Sequence, residues 1–464
     1  MSTQKKPIPI KSGPTVTIIG AGLVGCFLSF LLAKRGMKVE LYERSSFEDM
    51  SNTVTFRSFN LTFQDFGTKA LKSIGVWDAI EPLLTPIDGS MTQVKIGAKP
   101  IFYRINKAIP YYTVSRTRLL KKLVELLRHD PLVTIHFETA LISVDRYART
   151  MLVQDLKTQK YETVACDVIV GADGVNSQVR TFIQQGKETH HTQEYVDWTY
   201  KQITFTKETS EKFQWNSNYS YTWTRSNAAL TAYPDGNGIY NSILMLPKSQ
   251  GFELLSTEDE IKRFITKQFP DVVPALSNIT ESVLQNPEGY FVTIFTTPWY
   301  YRDFMVLLGD AAHGFPPFYG QGMSTGFGDC LKFVELMDKF ENDWTKVFPK
   351  YQEARKKNTD VMGRLSRENI KRYSRSKRAD YAVIYDKFDS LLFSIAPKVF
   401  APPPYELIAF DPGDAYKIEQ KHKEQRKRAR FFAIPVLVGA VTGAVALMEI
   451  AKHFSSKTDV SQDK

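Results

Sequence analysis

The residues of this chain that could do chemistry together are glycines and carboxylates spaced as in a nucleotide-binding site. Residues 20–25 read Gly-Ala-Gly-Leu-Val-Gly, and Glu43 follows at the end of the next apolar segment. Glycines at this spacing let backbone approach a pyrophosphate at a helix N-terminus, and an acid about 20 positions later can bind a ribose hydroxyl. Because Glu43 is acidic rather than basic, the motif favours FAD or NAD over NADP.

A second stretch, residues 307–329, has a similar character. It reads LLGDAAHGFPPFYGQGMSTGFGD, in which an apolar strand stops at Gly309 and a helix begins near Gly322. Asp310 could accept a hydrogen bond from a sugar hydroxyl, and the glycines would let backbone lie against a flat ring. The alternative is a glycine-rich connection without a ligand. His313 could act as an acid or base, but we expect a structural histidine at the strand end.

Two further charged residues stand at the ends of predicted elements. Asp173 follows a buried strand through a glycine, as Asp310 does. Arg116 opens a predicted helix, where a cation is unfavourable for the helix dipole. Either a phosphate or a ring carbonyl holds Arg116 there, or it is an ordinary surface arginine.

The elements that would position these residues predict an α/β protein. A strand over 16–19, a helix and a strand over 37–42 form a β-α-β unit around the first motif. From 196 to 298, short segments of alternating polarity separated by turns predict an antiparallel sheet. This sheet is inserted between the two cofactor stretches and is suited to form the wall of a substrate site. After Asp329 the chain is predicted to be helical.

Composition indicates a globular protein of two or three domains. Of the 464 residues, 43% are hydrophobic and 24% are charged. Much of the net charge of +10 lies in one late segment, so a nucleic-acid partner is not expected. Cys26, Cys166 and Cys330 are far apart and lack metal-ligand spacing. They predict buried reduced thiols and no metal site.

The C-terminal region has the pattern of a membrane anchor. Residues 417–430 are strongly basic, and 431–448 are eighteen residues without a charge. That length is at the lower limit for crossing a bilayer, so a buried or interfacial amphipathic helix is the alternative. The basic flank would stay on the cytosolic side and place the rest of the chain in the cytosol. The N-terminal residues lack the apolar core of a secretory signal.

Three motifs, in this order, connect the chain with a known family. They are GAGLVG at 20–25 with Glu43, GADGVNSQVR at 171–180, and GDAAHGFPPFYGQG at 309–322. Together they resemble the class A flavoprotein monooxygenases, the single-component aromatic hydroxylases. Within that family the chain is similar to the kynurenine-hydroxylating enzymes, through segments such as RSFNL at 57–61, VSR at 114–116 and PPYELIAF at 403–410.

This resemblance implies a Rossmann-like FAD domain interleaved with an antiparallel β-sheet substrate domain, a C-terminal helical part and a single membrane helix. The corresponding segments are a leader at 1–14, FAD-binding parts at 15–195 and 299–345, a substrate sheet at 196–298 with a portion near 85–115, a helical region at 346–416, a basic flank and anchor at 417–454, and a polar tail at 455–464.

The implied reaction is hydroxylation of L-kynurenine to 3-hydroxykynurenine, in tryptophan degradation and NAD synthesis. FAD would be the bound cofactor, NADPH or NADH its transient reductant, and a flavin C4a-hydroperoxide the species that hydroxylates the aromatic ring. O2 and a small aromatic molecule would be the substrates. The mitochondrial outer membrane is the implied location.

Site residues follow by position in the matching motifs. Cofactor-binding residues are implied at Gly20, Gly22, Leu23, Val24, Gly25, Glu43, Arg44, Arg57, Arg116, Asp173, Asp310, Gly320, Gly322 and Met323. Substrate-binding residues are implied at Tyr103, Arg104, Phe318, Tyr319, Asn369 and Tyr405. No protein nucleophile is implied, because the cofactor carries the chemistry.

The chain departs from the family where the substrate carboxylate is bound. The kynurenine enzymes have an arginine there, whereas this chain has Ser90, and Arg104 is the nearby candidate to replace it. Ser324 stands where an asparagine is usual, and Gly328 where an acid is usual. Since a carboxylate needs a cation or strong donors, another, lipophilic substrate is one alternative. A flavin-binding relative without hydroxylase activity is the other.

Overall fold

The computed structural model describes residues 14–51, 60–94, 96–104, 111–186 and 188–370, together with 390, 393–394, 400–402, 407 and 415–428. Its strands are β1 (Val16–Ile19), β2 (Val39–Tyr42), β3 (Asn60–Phe63), β4 (Thr85–Pro86), β5 (Gly89–Gln93), β6 (Ile101–Arg104), β7 (Tyr112–Ser115), β8 (Val133–His136), β9 (Thr139–Asp145), β10 (Thr150–Asp155), β11 (Tyr161–Ala165), β12 (Val168–Gly171), β13 (His190–Phe205), β14 (Tyr219–Thr224), β15 (Ala229–Pro234), β16 (Tyr240–Pro247), β17 (Gly289–Thr297), β18 (Tyr300–Tyr301) and β19 (Met305–Leu307).

The helices are α1 (Leu23–Ala33), α2 (Phe47–Ser51), α3 (Asp65–Ile74), α4 (Trp77–Ile80), α5 (Arg116–Leu127), α6 (Gln178–Gln184), α7 (Lys207–Lys212), α8 (Glu258–Gln268), α9 (Leu276–Gln285), α10 (Asp310–His313), α11 (Gly322–Lys339) and α12 (Trp344–Asn369). Residues 415–428 are also helical.

A six-stranded sheet carries both glycine-rich stretches. Its order is β18-β19-β12-β1-β2-β8, and its neighbours are parallel except for the pair β18 and β19. The strands β1, β12 and β19 are buried along their whole length, as their continuous apolar sequences predict for a sheet covered on both faces. Parallel strands share one carboxyl edge, so the residues that follow β1, β2, β12 and β19 meet there.

A seven-stranded sheet forms the second layer of the fold. Its order is β17-β13-β16-β15-β14-β5-β6, and its neighbours are antiparallel except for β14 and β5. The antiparallel sheet that the sequence predicts over 196–298 accounts for most of it. The structure differs in that β13 begins earlier, at His190. The strands β5 and β6 join the sheet from an earlier part of the chain, within the portion near 85–115 that the resemblance assigns to the substrate sheet. Two smaller sheets, β11-β10-β9 and β3-β7-β4, complete the fold.

Hydrogen bonds join the seven-stranded sheet to the small sheet β3-β7-β4 and to the start of α5. Asp235, in the turn after β15, accepts a bond from the backbone N–H of Ser115 (2.9 Å), and the Arg118 guanidinium donates to the Asp235 carbonyl (2.7 Å). The Asn60 amide donates to the carbonyl of Pro234 (2.9 Å). These bonds hold Arg116, the first residue of α5, beside the junction of the seven-stranded sheet and the small sheet β3-β7-β4.

Within the part of the chain that the structure describes, no helix is both long and apolar enough to cross a bilayer. The predicted anchor at 431–448 lies outside the described residues, as do two predicted site residues, Arg57 and Tyr405.

Candidate active site

The first glycine loop has the close packing that its spacing predicts. Gly20 has a φ of +101°, and a Cβ there would lie 2.6 Å from the Ala172 carbonyl oxygen. A Cβ at Gly25 would lie 2.0 Å from the carbonyl oxygen of Gly20, so glycine is needed for α1 to approach its own entry loop. A Cβ at Gly22 would instead meet no atom within 4 Å. Gly22 therefore borders open space at the N-terminus of α1.

No side chain caps the N-terminus of α1, whose N-cap is Gly22. The first N–H groups of a helix need acceptors, and a phosphate in front of them supplies both acceptors and negative charge. The open space at Gly22 and the uncapped helix together fit the pyrophosphate of a dinucleotide.

Glu43 is held at the end of β2 by the backbone. Its two carboxylate oxygens accept hydrogen bonds from the N–H groups of Ala21 and Ser45, each at 2.9 Å. Because a carboxylate oxygen has two lone pairs, each can still accept from a ribose hydroxyl. Glu43 is half-buried beside the glycine loop, whereas the neighbouring Arg44 is exposed.

The second stretch places Asp310 at the same edge of the sheet. Gly309 has a φ of +61° and turns the chain from β19 into the short helix α10, whose first residue is Asp310. Solvent reaches the Asp310 side chain. Desolvation by the surrounding protein nevertheless raises its pKa, against the opposing effect of the positive charges of His313 and Arg116. We call the solvent-accessible space that Asp310 borders the cleft.

Arg116 is a half-buried cation close enough to Asp310 for its charge to act on that carboxyl group. Among the described residues, none accepts a hydrogen bond from its guanidinium within normal distance. An arginine in this setting fits a role in binding a polar ligand that has acceptor atoms. Ligand binding is one of the two interpretations of Arg116 that the sequence leaves open.

Val24 connects the two glycine-rich stretches. A Cβ at Gly309 would lie 2.8 Å, and one at Gly326 2.6 Å, from the Val24 Cγ2 atom. Next to this contact, the rings of Phe27 on α1 and Phe327 on α11 stack with centroids 4.2 Å apart. The two glycines therefore form a slot for Val24 that brings the halves of the site together.

The loop before α11 is also built on glycine. Gly320 has a φ of +68°, and a Cβ there would lie 2.5 Å from the Thr62 hydroxyl oxygen. At Gly322, the first residue of α11, a Cβ would meet no atom within 4 Å, and α11 has no side-chain cap. Met323 is buried. This second open helix start is suited to lie against a flat ring.

Two acids near the site serve the protein itself. Asp173 accepts hydrogen bonds from the hydroxyl of Ser177, the N-cap of α6 (2.5 Å), and from the backbone N–H of Gln178 (2.7 Å), so it supports the start of that helix. Its contact with a cofactor stays a prediction. His313 is buried, and its Nε2 lies 2.5 Å from an Asp329 carboxylate oxygen. This geometry favours the structural role that we expect for His313.

The predicted substrate residues fall into two groups. Phe318 is buried, with its ring centroid 4.8 Å from that of Phe291, and its carbonyl accepts a hydrogen bond from the Asn369 amide (2.9 Å). Tyr319 is half-buried next to this loop. Tyr103 and Arg104 lie apart from this group on β6, the edge strand, where both are exposed.

Sequence reasoning missed a buried network behind Asp310. Asp329, which is fully buried, accepts hydrogen bonds from the Arg355 guanidinium (2.6 Å) and from the backbone N–H of Gly309 (3.1 Å). The position of Asp329 at the end of the second glycine-rich stretch indicates that this acid lies close to the site. Its partner on α12 could not be found by spacing.

Comparison with known proteins identifies a family for this chain. The sequence model of the FAD binding domain family matches residues 14–358. A solved 2-methyl-3-hydroxypyridine-5-carboxylic acid oxygenase has the same fold, with a TM-score of 0.67 at 18% identity over 87% of this chain and 98% of that one. The tetracycline destructase Tet(55) matches with a TM-score of 0.58 at 16% identity over 76% and 88%. The family model thus defines a flavoprotein with FAD as its cofactor, as the sequence predicts.

Two relatives narrow the assignment. A kynurenine 3-monooxygenase from Christiangramia forsetii is 32% identical over 416 residues, which cover 88% of this chain and 92% of that protein. A kynurenine 3-monooxygenase from Sus scrofa is 30% identical over 407 residues, or 85% and 84%. This chain belongs to the kynurenine 3-monooxygenase family.

Proposed function

We propose that this protein hydroxylates L-kynurenine to 3-hydroxykynurenine with NAD(P)H and O2, a step of tryptophan degradation that leads to NAD synthesis. The observation that carries the proposal is the 32% identity to a kynurenine 3-monooxygenase over 88% of this chain. That similarity extends through the seven-stranded sheet as well as the cofactor sheet.

FAD, when bound, would supply the redox chemistry between NAD(P)H and O2. The residues of the chain bind and orient it. The loop at 20–25 would hold the pyrophosphate, Glu43 the adenosine ribose and Asp310 the ribityl chain. Arg116, half-buried in the cleft, would donate to acceptor atoms on the flavin side of the cofactor.

The residues beside the loop before α11 provide an apolar wall for an aromatic substrate. Phe318 packs with Phe291 and Tyr200, whose two rings stack with centroids 4.8 Å apart. The Asn369 amide fixes the Phe318 carbonyl, so this wall has a defined position. Such a wall orients a ring and excludes water from the reacting atoms.

Arg104 is the cation that we propose for the substrate carboxylate. In the register of β5 and β6 it lies opposite Gly89, next to the pair of Ser90 and Tyr103. Its side chain is exposed, so it would have to turn toward a bound substrate. The serine at position 90 and this exposure favour a second candidate, the same chemistry on an aromatic substrate that lacks a carboxylate.

Steady-state kinetics of the full-length holoenzyme test both candidates. Arg104→Ala should raise the KM for L-kynurenine about tenfold or more, because a charged hydrogen bond contributes about 1.5–3 kcal/mol. Lys99→Ala removes an exposed cation from the same hairpin and should leave KM unchanged. If L-kynurenine does not stimulate NADPH oxidation by the wild type, kynurenine is not the substrate. If Arg104→Ala leaves KM unchanged, Arg104 does not bind the carboxylate.

We further propose that residues 431–448 anchor the protein in the mitochondrial outer membrane, with the catalytic part facing the cytosol. The support is the eighteen-residue uncharged segment directly after a basic flank. Residues 431–450 fused to a soluble reporter should carry it to the mitochondrial surface, where added protease digests it without opening the organelle. A reporter that stays wholly soluble contradicts the anchor.

A further inference from the structure

Asp329 is a charged residue with no exposed surface, and it lies directly behind the proposed cofactor contact. One carboxylate oxygen accepts from the backbone N–H of Gly309 (3.1 Å) and lies 2.5 Å from Nε2 of His313. Gly309 precedes Asp310, and His313 ends the short helix α10 that Asp310 begins. Asp329 therefore holds both flanks of Asp310 from the side away from the cleft.

The second carboxylate oxygen of Asp329 is held by α12. The Arg355 Nε donates to it at 2.6 Å, and the Arg355 Nη2 donates to the Thr325 carbonyl at 3.1 Å. Gly328 gives the guanidinium room, because a Cβ there would lie 3.2 Å from Nη2. Arg355 thus links α12 both to the carboxylate and to the first turns of α11.

Charge keeps this network in one protonation state. Burial acts to raise the pKa of Asp329, but the charges of His313 and Arg355 outweigh burial and hold the pKa below its ordinary value. Asp329 is therefore an anion at neutral pH and accepts from all three donors.

Stability alone is a poor reason for such a network. Removing two charges from water costs about as much as their attraction returns, and buried ion pairs can often be replaced by apolar groups without loss of stability. The donors of Asp329 are the backbone N–H of Gly309 in the turn after β19, the His313 ring at the end of α10 and Arg355 on α12, and the first two flank Asp310.

We propose that Asp329 is a positioning residue for FAD, which fixes the turn from Gly309 to His313 so that Asp310 meets the ribityl chain, with Arg355 holding Asp329 in turn. The proposal rests on the placement of Asp310 in the FAD site of the proposed function. It does not depend on the identity of the aromatic substrate.

The experiment measures FAD affinity of full-length apoprotein by flavin fluorescence, separately from turnover. Asp329→Asn keeps the side-chain size but removes the charge and one acceptor. We expect the Kd for FAD to rise about tenfold, in proportion to the loss of one charged hydrogen bond at Asp310. At saturating FAD, the KM for the aromatic substrate should change little. Arg355→Lys, which retains the charge but loses the planar fork, should raise the Kd less.

A matched control separates positioning from general stability. Arg225 is a buried arginine of the seven-stranded sheet, and it donates from Nε to the Gln268 carbonyl (2.6 Å) and from Nη1 to the Gln93 carbonyl (3.0 Å). Arg225→Gln should lower the melting temperature and leave the Kd for FAD unchanged. In an Asp310→Asn background, Asp329→Asn should have little further effect on the Kd, because both act through the same contact.

The proposal is overturned if Asp329→Asn lowers the melting temperature without changing the Kd, or if the two substitutions act additively on the Kd. Should Asp329→Asn fail to fold, the same two criteria apply to Arg355→Lys. A wild type that binds no FAD would instead overturn the proposed function.

Discussion

The packing of Val24 against Gly309 and Gly326 leads to a quantitative prediction about how the two glycine-rich stretches are joined. Gly326 lies inside α11, where alanine is favoured over glycine by about 1 kcal/mol. Its new Cβ, however, would lie 2.6 Å from the Val24 Cγ2 atom, and overpacking of this kind costs about 1–3 kcal/mol. Gly326→Ala should therefore lower the free energy of unfolding of the apoprotein by up to about 2 kcal/mol.

Val24→Ala provides the second arm of a double-mutant cycle. By itself it removes two partly buried methyl groups and should cost up to about 1.6 kcal/mol. In that background the clash is gone, so Gly326→Ala should become neutral or stabilising, and the two substitutions should couple by about 1–3 kcal/mol. The assay is thermal unfolding of the four apoproteins, followed by circular dichroism.

Gly322→Ala is the control for this cycle. A Cβ at Gly322 meets no atom within 4 Å, so apoprotein stability should not fall. FAD affinity should fall instead, because the new methyl group enters the open space at the start of α11. If Gly326→Ala and Val24→Ala prove additive, Val24 does not join the two stretches and the reasoning is refuted.

Three further predictions concern individual residues. Glu43→Gln should weaken FAD binding about tenfold in a fluorescence titration, since a charged acceptor for the ribose is lost, and an unchanged Kd would remove Glu43 from the site. Asp310→Asn should make the apoprotein more stable at neutral pH than the wild type while weakening FAD binding. Because the pKa of Asp310 is raised in the folded wild type, folding is favoured when this side chain is protonated. This contribution to the free energy of unfolding is fully present below the ordinary carboxyl pKa, and it is lost as pH rises through the raised pKa of the folded protein. Thermal unfolding measured against pH should show the melting temperatures of the wild type and Asp310→Asn converging in acid. Melting temperatures that differ by the same amount at every pH would contradict this prediction. Burial raises the pKa of all three thiols, Cys26, Cys166 and Cys330, so iodoacetamide should label none of them in the native protein and all three after denaturation, and rapid native labelling would contradict the packing.

Local geometry was predictable because it depends on spacing along the chain. The glycine loop at 20–25, the acid at Glu43 and the helix start at Gly322 are short-range features, and the structure has them where the sequence predicts them. The parallel core strands were equally predictable from the sequence, since continuous apolar runs that end in glycine have few other interpretations.

Long-range pairing was not predictable in the same way. The parallel pair of β5 and β14 joins segments far apart in sequence, and the residues of either segment do not indicate which strand it pairs with. The contact of Asp329 with Arg355 depends on how α11 packs against α12, and a charged pair on two helices has no sequence signature of its own. The burial of Phe318 against Phe291 likewise became visible with the packing of the loop on the sheet.

The central claim is that this cleft binds FAD and hydroxylates L-kynurenine. Its most direct test incubates the full-length holoenzyme with NADPH, L-kynurenine and 18O2, and analyses the product by mass spectrometry. We expect 3-hydroxykynurenine that carries one 18O atom, formed in proportion to the NADPH consumed. Flavin-containing protein that consumes NADPH but yields hydrogen peroxide and no hydroxylated product, with or without L-kynurenine, would contradict it.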